Sequence, residues 1–365
     1  MLIKKDVFLK KLVLASRFTS TRFSTNILLS GVFLKKEGQF LHFYATNLNY
    51  YYHSFIRINE GEDFDLVLEP KKIIDFLSYS SADKINFSIE KTKVVFSYEK
   101  NCGEFPLYPK EDFPLPPKID EKKQIIKTSF FKQNLPLVLF ACSNDDARPV
   151  LTGINFSTNE EDLFLVGTDG FRLSLLKTKK EINFPNIIVD SGFLNEVLFF
   201  AEKEEDVSFS YSEKEKMIYF KIEDNDLYGR IIEGDYPPYE KVIPTQEGKT
   251  KVFVDRESFL RNLKLINVFT RDFSNIVIFD IKRDGVYLRP KVEDEKNKNQ
   301  AFLEAEIKGE ETRLAFNQKF LLDFLNHFKQ KEVFFEIFRP DAPVVFKDPK
   351  KNNFLHVIMP IRVQE

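Results

Sequence analysis

No tryptophan occurs in this chain, so its 40 phenylalanines must do most of the filling of the interior. Only two cysteines are present, Cys102 and Cys142, and they form no CxxC. That excludes a disulfide scaffold and a thiolate metal knuckle, and suits two ordinary buried thiols in a reducing cytoplasm. The four histidines, His42, His53, His327 and His356, show no pair at metal-ligand spacing, so a structural role is expected for each. There is no P-loop, GxGxxG, GxSxG or HExxH, which removes the usual nucleotide, hydrolase and metalloprotease sites. No cofactor and no metal are expected. With 13 glycines and no low-complexity segment, fibrous and disordered classes fall away. No apolar run approaches the roughly 18 to 20 residues of a membrane span. The opening MLIKKDVFLKKLVLASRF looks like a signal peptide, but Lys10 and Lys11 interrupt its apolar stretch; it reads as a strand followed by an amphipathic helix.

What the chain does have is one pattern written three times. Phe8 and Leu12, Phe131 and Leu135, and Phe259 and Leu263 each open a helix-period apolar run. Each follows a β-rich lead: Leu2-Ile3, Ile125-Ile126, and Val252 to Val254. A second strand-to-helix unit begins at Leu68, Val189 and Phe316. In each, the helix leucine (Leu77, Leu198, Leu325) stands nine residues on, with an acid (Asp75, Glu196, Asp323) two residues before it. A repeat without a shared catalytic residue indicates a scaffold rather than an enzyme.

Length suits two to three domains. Proline-rich stretches at Phe105–Pro117 and Asp235–Pro244 end the first two copies, since proline closes regular structure. Domains are therefore expected at 1–120, 121–246 and 247–365, each reading β-α-β-β-β-α-β-β-β. Helices are predicted over 6–17, 70–79, 129–142, 191–203, 256–269 and 317–329, with Pro136 kinking or delaying the third. Runs such as QFLHFYAT, DLFLVGT and VFFEIF carry strand patterning. Asp169-Gly170 predicts a two-residue type I′ hairpin turn.

The formal charge is −2, but its distribution matters more than its total. The six predicted helices hold twelve Lys and Arg against six Asp and Glu, and the remainder of the chain is correspondingly acidic. If the helices share one side, that side attracts phosphate without reading sequence; the alternative is a set of solvated helix ends. Asp169, the best lone carboxylate, reads as a turn residue before a catalytic one. Asn144-Asp145-Asp146 reads as the polar end of a helix before a metal site. The charged block from Val292 reads as a solvated loop.

ARPVLTGINFS from Ala147, LVGTDGFRLSLL from Leu165, DYPPYEKVIP, FNQKFLLDFL and HVIMPIRV from His356 follow one another in that order. Across its whole length the chain resembles the bacterial replicative sliding clamp, the β subunit of DNA polymerase III. The TDGxRL and terminal MPxR signatures carry most of the specificity. The resemblance implies an α+β fold of three tandem DNA-clamp domains, each with two helices packed on antiparallel sheets. It implies a head-to-tail homodimer closed into a ring around duplex DNA, with no catalysis and no membrane. Its partners are the polymerase III catalytic subunit, a clamp loader and other proteins bearing clamp-binding motifs. It also implies a peptide cleft built from Leu151, Thr168, Gly170, Phe171, Arg172, Leu173, Pro237, Lys241, Val242, Asn317, Phe320, Val357, Ile358, Met359, Pro360, Ile361 and Arg362. Arg172 and Arg362 would orient polar groups of the peptide, while plain strand core is the other reading for Leu173, Val357 and Ile358.

Phe171 stands where the family often has His, Lys241 where Arg is common, and Phe320 where Tyr is common. These make the cleft more apolar. Val363-Gln364-Glu365 extends slightly past the usual end. For DNA, the resemblance points to Arg22 and Arg148. Helix position alone adds Lys10, Lys11, Lys72, Lys132, Arg261 and Lys264. At the subunit joint, Phe105, Val268, Phe269 and Phe273 are candidates, with internal core as the alternative. Two other functions stand beside the clamp: a cytosolic oligomeric α+β enzyme with its site near Asp169, and a peptide-binding hub that never meets DNA.

Overall fold

The computed structural model describes residues 1–20, 27–180, 182–271, 274–291 and 299–362. Its helices, among the described residues, are α1 (Lys5–Ser16), α2 (Pro70–Ser78), α3 (Thr128–Asn134), α4 (Pro136–Leu139), α5 (Ser191–Phe200), α6 (Arg256–Thr270) and α7 (Gln318–His327). They fall on the six predicted segments. The third is cut in two at Pro136, whose ring carries no N–H to continue the ladder. α6 and α7 start cleanly because Asp255 accepts the Ser258 N–H at 2.8 Å and Asn317 accepts the Lys319 N–H at 3.0 Å. Among the described residues, the strand count between paired helices exceeds the predicted three: four in the first two copies and five in the third.

The chain folds as two compact units, residues 1–128 with 195–231 and residues 129–194 with 232–365. In the first, Val32–Glu37, Phe40–Thr46 and Tyr50–Arg57 form an antiparallel meander that continues through Asn225–Ile232, Met217–Ile222, Asp206–Ser212 and Gln124–Lys127. Leu2–Lys4, Lys84–Ile89, Lys93–Tyr98 and Asn101–Tyr108 form a second antiparallel run. α1 buries Phe8, Lys11, Leu12 and Ala15. The Phe8 ring lies 5.5 Å from both Phe43 and Phe96, so tilted phenylalanine pairs supply the packing that tryptophan would otherwise provide.

In the second unit, Gly153–Thr158, Asp162–Thr168, Arg172–Lys179, Lys351–Ile358, Val344–Asp348, Glu332–Ile337 and Thr250–Asp255 pair in that order, all antiparallel. Ala301–Leu303, Gly285–Pro290, Ile276–Lys282 and Thr312–Asn317 make a separate four-stranded sheet. Gly167 allows α4 to lie against its strand: a Cβ there would meet the Val138 carbonyl oxygen at 2.5 Å. The middle repeat is thus shared. Its last three strands join Tyr50–Arg57 of the first repeat, and its hairpin joins Lys351–Ile358 of the third. No described helix is long and apolar enough to cross a membrane.

Candidate partner-binding and DNA-facing sites

The hairpin between Asp162–Thr168 and Arg172–Lys179 is closed by side chains. Thr168 Oγ1 donates to the Arg172 carbonyl at 2.5 Å, and Asp169 Oδ1 accepts the Phe171 and Arg172 N–H groups at 2.9 and 3.0 Å. Only Gly170 has positive φ, +92°. The type I′ expectation, which needs two such residues, is therefore corrected: the turn centres on Gly170-Phe171, because the Asp169 carboxylate holds Asp169 in ordinary backbone. Phe171 is thrust outward at 60% exposure.

Arg172 faces the other way. Its Nε donates to Asp169 Oδ2 at 3.0 Å and its Nη1 to Asp323 Oδ2 at 2.7 Å. The guanidinium lies over Phe320 at 4.6 Å and Phe140 at 5.6 Å, and the residue is 8% exposed. With Nε and Nη1 both engaged, Arg172 braces α7 against the turn rather than standing free for a peptide. Asp169, with all its partners internal, loses its claim to catalysis.

Beneath the turn, Leu173 and Val357 join Val166 and Val345 in a buried apolar cluster, with Tyr236, Tyr239 and Ile243 packed against it. Leu151 and Ile358 are also buried; these four residues are core. At the surface, Met359 N–H donates to the Phe171 carbonyl at 2.9 Å, joining two residues whose apolar side chains are exposed. Val242 is exposed on the short 3-10 turn Tyr239–Val242, next to exposed Lys241, and Pro237 is exposed. Asn317 caps α7, Phe320 is half-buried in its first turn, and Ile361 N–H donates to the Ala315 carbonyl at 2.7 Å. Pro360 is half-buried, Arg362 is exposed and Thr168 is buried. Behind this surface His356 is fully buried, its Nδ1 2.8 Å from Ser174 Oγ and its ring stacked on Phe324. Burial, then Arg172, push its ring well below the usual histidine range.

Of the basic candidates, Lys11 is corrected. It is 6% exposed, and its ammonium donates to Ser54 Oγ at 2.8 Å, Asp224 Oδ1 at 2.7 Å and Asn225 Oδ1 at 3.3 Å. Lys10, Lys72, Lys132, Arg261 and Lys264 are exposed. Arg148 is exposed but engaged, donating to Asp145 Oδ2 at 3.0 Å and to the Asp169 carbonyl at 3.2 Å. The Ala147 N–H and that guanidinium hold the Asp145 carboxyl below its ordinary range. The Asn144-Asp145-Asp146 stretch is thus a loop that engages its own neighbours, and no metal-holding group of three occurs among the described residues. Arg22, Phe273 and Val363–Glu365 lie outside the described residues.

At the expected joint, Phe105 is half-buried against Phe76 and Phe96, while Val268 and Phe269 are exposed. Leu265, 53% exposed, joins them one turn back on α6 and was missed. The i, i+3, i+4 spacing of 265, 268 and 269 was a readable signal for a second apolar stripe. Two thiol and histidine expectations also change. Cys102 is exposed, because it sits on an outward position of Asn101–Tyr108. His42 and His53, eleven residues apart, meet across their hairpin with Nδ1 and Nε2 2.9 Å apart, and His53 Nδ1 lies 2.9 Å from Asp226 Oδ2.

Models of the DNA polymerase III beta subunit match the chain in sequence: its N-terminal domain at 1–117, central domain at 125–238 and C-terminal domain at 240–362. The beta sliding clamps of Halalkalibacterium halodurans and Bacillus subtilis are each 24% identical, over 99% of this chain and 98% of theirs. Among solved structures, the Bacillus subtilis DNA polymerase sliding clamp superposes with a TM-score of 0.89 at 22% identity, covering 100% of this chain and 99% of that one. A Bartonella birtlesii sliding clamp bound to griselimycin also gives 0.89, at 23% identity and 100% and 99% coverage. The fold is that of three tandem clamp domains, and the chain belongs to the DNA polymerase III beta subunit family.

Proposed function

We propose how these residues carry out the family's role, which is that of a DNA sliding clamp. The protein is a non-catalytic processivity factor whose partners are DNA and a DNA polymerase. The observation that carries this is the ordered match of three clamp domains along the entire chain. Domain boundaries near 120 and 246 fit the proline-rich connectors. Two copies join head to tail through the Phe105 region of one and the Leu265, Val268 and Phe269 stripe of the other, closing a ring. Duplex DNA passes through it, held by Lys10, Lys72, Lys132, Arg148, Arg261 and Lys264, with Arg22 proposed beside them. Lysine and arginine contacts to phosphate carry no sequence information and weaken with salt, as sliding requires.

The surface formed by Phe171, Val242, Met359 and Phe320 takes short apolar peptide motifs from the polymerase catalytic subunit, a clamp loader and other partners. Adjacent aromatic and thioether side chains adapt to varied partners. The griselimycin-bound relative supports a ligand-binding surface on this fold. Tethering converts polymerase rebinding into an intramolecular event at high effective concentration. The test is primer extension on a long primed template with the polymerase and clamp loader. Longer products per binding event are expected with the protein present. Product length independent of the protein contradicts the reading.

A further inference from the structure

Each repeat opens on a short strand that runs into a helix. On one side, each of these strands pairs with the first strand after the repeat's second helix: Leu2–Lys4 with Lys84–Ile89, Gln124–Lys127 with Asp206–Ser212, and Thr250–Asp255 with Glu332–Ile337. The three differ on the other side. In the third repeat Glu306–Gly309 pairs there, with Glu306 opposite Phe253 and Lys308 opposite Lys251. The Lys308 ammonium caps the Phe253 ring at 5.1 Å. In the first repeat Leu2–Lys4 shares a crevice of about 280 Å³ with the chain's own Ile56, Ile58 and Glu60. In the middle repeat Gln124–Lys127 pairs with no further strand among the described residues.

Ile125 is the counterpart of Phe253, since each stands three residues before its helix, α3 or α6. One place on, Ile126 and Val254 are both buried. The Thr128 N–H donates to the Glu205 carbonyl at 2.9 Å. Ile126, two residues back, is therefore the one that exchanges backbone bonds with Asp206–Ser212, and Ile125 and Lys127 turn their N–H and C=O groups away from that strand. The Ile125 side chain, uncapped, is 68% exposed. Lys127 is held by Asp206 at 2.9 Å. Lys122 and Lys123 are exposed, and neither joins an ion pair among the described residues; Lys123 lies over the Tyr219 ring at 5.2 Å. Asp120 and Glu121 come before the strand begins.

An open strand edge presents donors and acceptors in a row. A phosphodiester brings acceptors alone and leaves the carbonyls unmet. A helix spends its backbone groups on itself. An extended segment satisfies both kinds. A second copy of this strand would set lysines against lysines, which is unfavourable. We propose that Gln124–Lys127 is a docking edge for an extended segment of a partner protein, paired antiparallel as Glu306–Gly309 is in the third repeat. That segment carries an apolar residue beside Ile125 and, two residues on, an acid beside Lys123. The edge shares no residue with the Phe171, Val242, Met359 and Phe320 surface, and the assignment does not depend on the clamp reading.

The probe is a fluorescein-labelled heptapeptide, Thr-Glu-Thr-Val-Thr-Glu-Thr, titrated with the full-length protein and followed by anisotropy. Binding is expected with a Kd below about 1 mM. Methylating the amide nitrogen of the central Val removes the donor that faces Ile125 and should weaken binding at least about 10-fold. Exchanging both Glu for Lys should weaken it about 5-fold. Ile125→Pro removes the matching donor from the protein, at an edge position where proline is tolerated, and should reproduce the effect of the methylated peptide. Equal melting temperatures establish that this variant folds. Lys123→Glu is the second variant, and it should reverse the preference between the two peptides. No binding up to about 1 mM protein, equal binding of the methylated peptide, or unchanged affinity in a folded Ile125→Pro variant overturns the proposal. So does a preference of the unaltered protein for the Lys peptide. Self-association that Ile125→Pro abolishes would make the occupant a second copy and overturn it as well.

Discussion

Two hairpin turns in this molecule are built on one plan and finished differently. In Thr46–Tyr50, Thr46 Oγ1 donates to the Tyr50 carbonyl and accepts the Leu48 N–H, while Asn47 Oδ1 accepts the Asn49 and Tyr50 N–H groups. Thr168–Arg172 repeats each of these bonds with Asp169 in place of Asn47. Each turn leads into a strand that joins a neighbouring repeat. In the first unit that seam is polar: Lys11, Ser54, Asp224 and Asn225 interlock, and His53, Tyr219 and Lys221 converge on Asp226. In the second it is mainly apolar, around Val166, Leu173, Val345 and Val357, with one buried polar pair, Ser174 and His356, and with Phe171 and Met359 left at the surface. Directional polar pairing fixes one register, whereas an apolar seam with exposed neighbours leaves area to be covered by a partner.

The comparison breaks most severely at its braces. Arg172→Ala strips two carboxylates of a buried partner and should cost about 3 kcal/mol in chemical unfolding followed by circular dichroism, since no tryptophan reports. The first unit's counterpart, Arg17 paired with Glu196 at 2.6 Å, is 36% exposed in its side chain and should lose under about 1 kcal/mol on the same change. Equal losses would deny that one brace is buried and the other superficial. Lys11→Ala should cost about 2 kcal/mol, tempered because Asp224 is partly exposed. It should leave DNA retention unaltered; a retention defect in a fully folded variant would restore Lys11 as a DNA contact.

Acid sharpens the polar seam. Burial raises the Asp226 carboxyl, but hydrogen bonds from His53, Tyr219 and Lys221 outweigh it and hold the group down at about 2. Its contribution, about 2 kcal/mol, is present above the ordinary aspartate value near 3.8 and is lost as pH falls from there through about 2. Asp226→Asn should flatten stability across that window, and an unchanged pH profile would remove Asp226 from the seam's account. At the apolar seam, Phe171→Ala with Met359→Ala should weaken binding of a clamp-motif peptide about 10-fold at unchanged melting temperature. Leu48→Ala, at the matching turn, should leave it untouched. The smallest effect is at Leu48 itself, whose φ of +75° suits glycine. Leu48→Gly should stabilise by up to about 1 kcal/mol and Gly170→Ala should destabilise by a similar amount; the reverse order would contradict the shared turn geometry.

The repeats were legible because Phe and Leu recur at helix period, a local signal. Lys11 is buried because Phe8, Lys11, Leu12 and Ala15 fall at i, i+3, i+4 and i+7, the spacing of a buried stripe, and position outweighs charge there. The role of Arg172 is not legible locally, because its partner Asp323 lies 151 residues away. The His42–His53–Asp226 chain was hidden for the same reason: cross-strand register brings together residues that no local pattern connects. Cys102 was judged by residue type, while its strand face decides its exposure.

The most direct test loads the protein with a clamp loader onto circular duplex DNA, then cuts the circle, with mass determined in parallel. A dimer that stays on circles and is lost on linearisation is the predicted result. A monomer, or equal retention on both forms, would contradict encirclement.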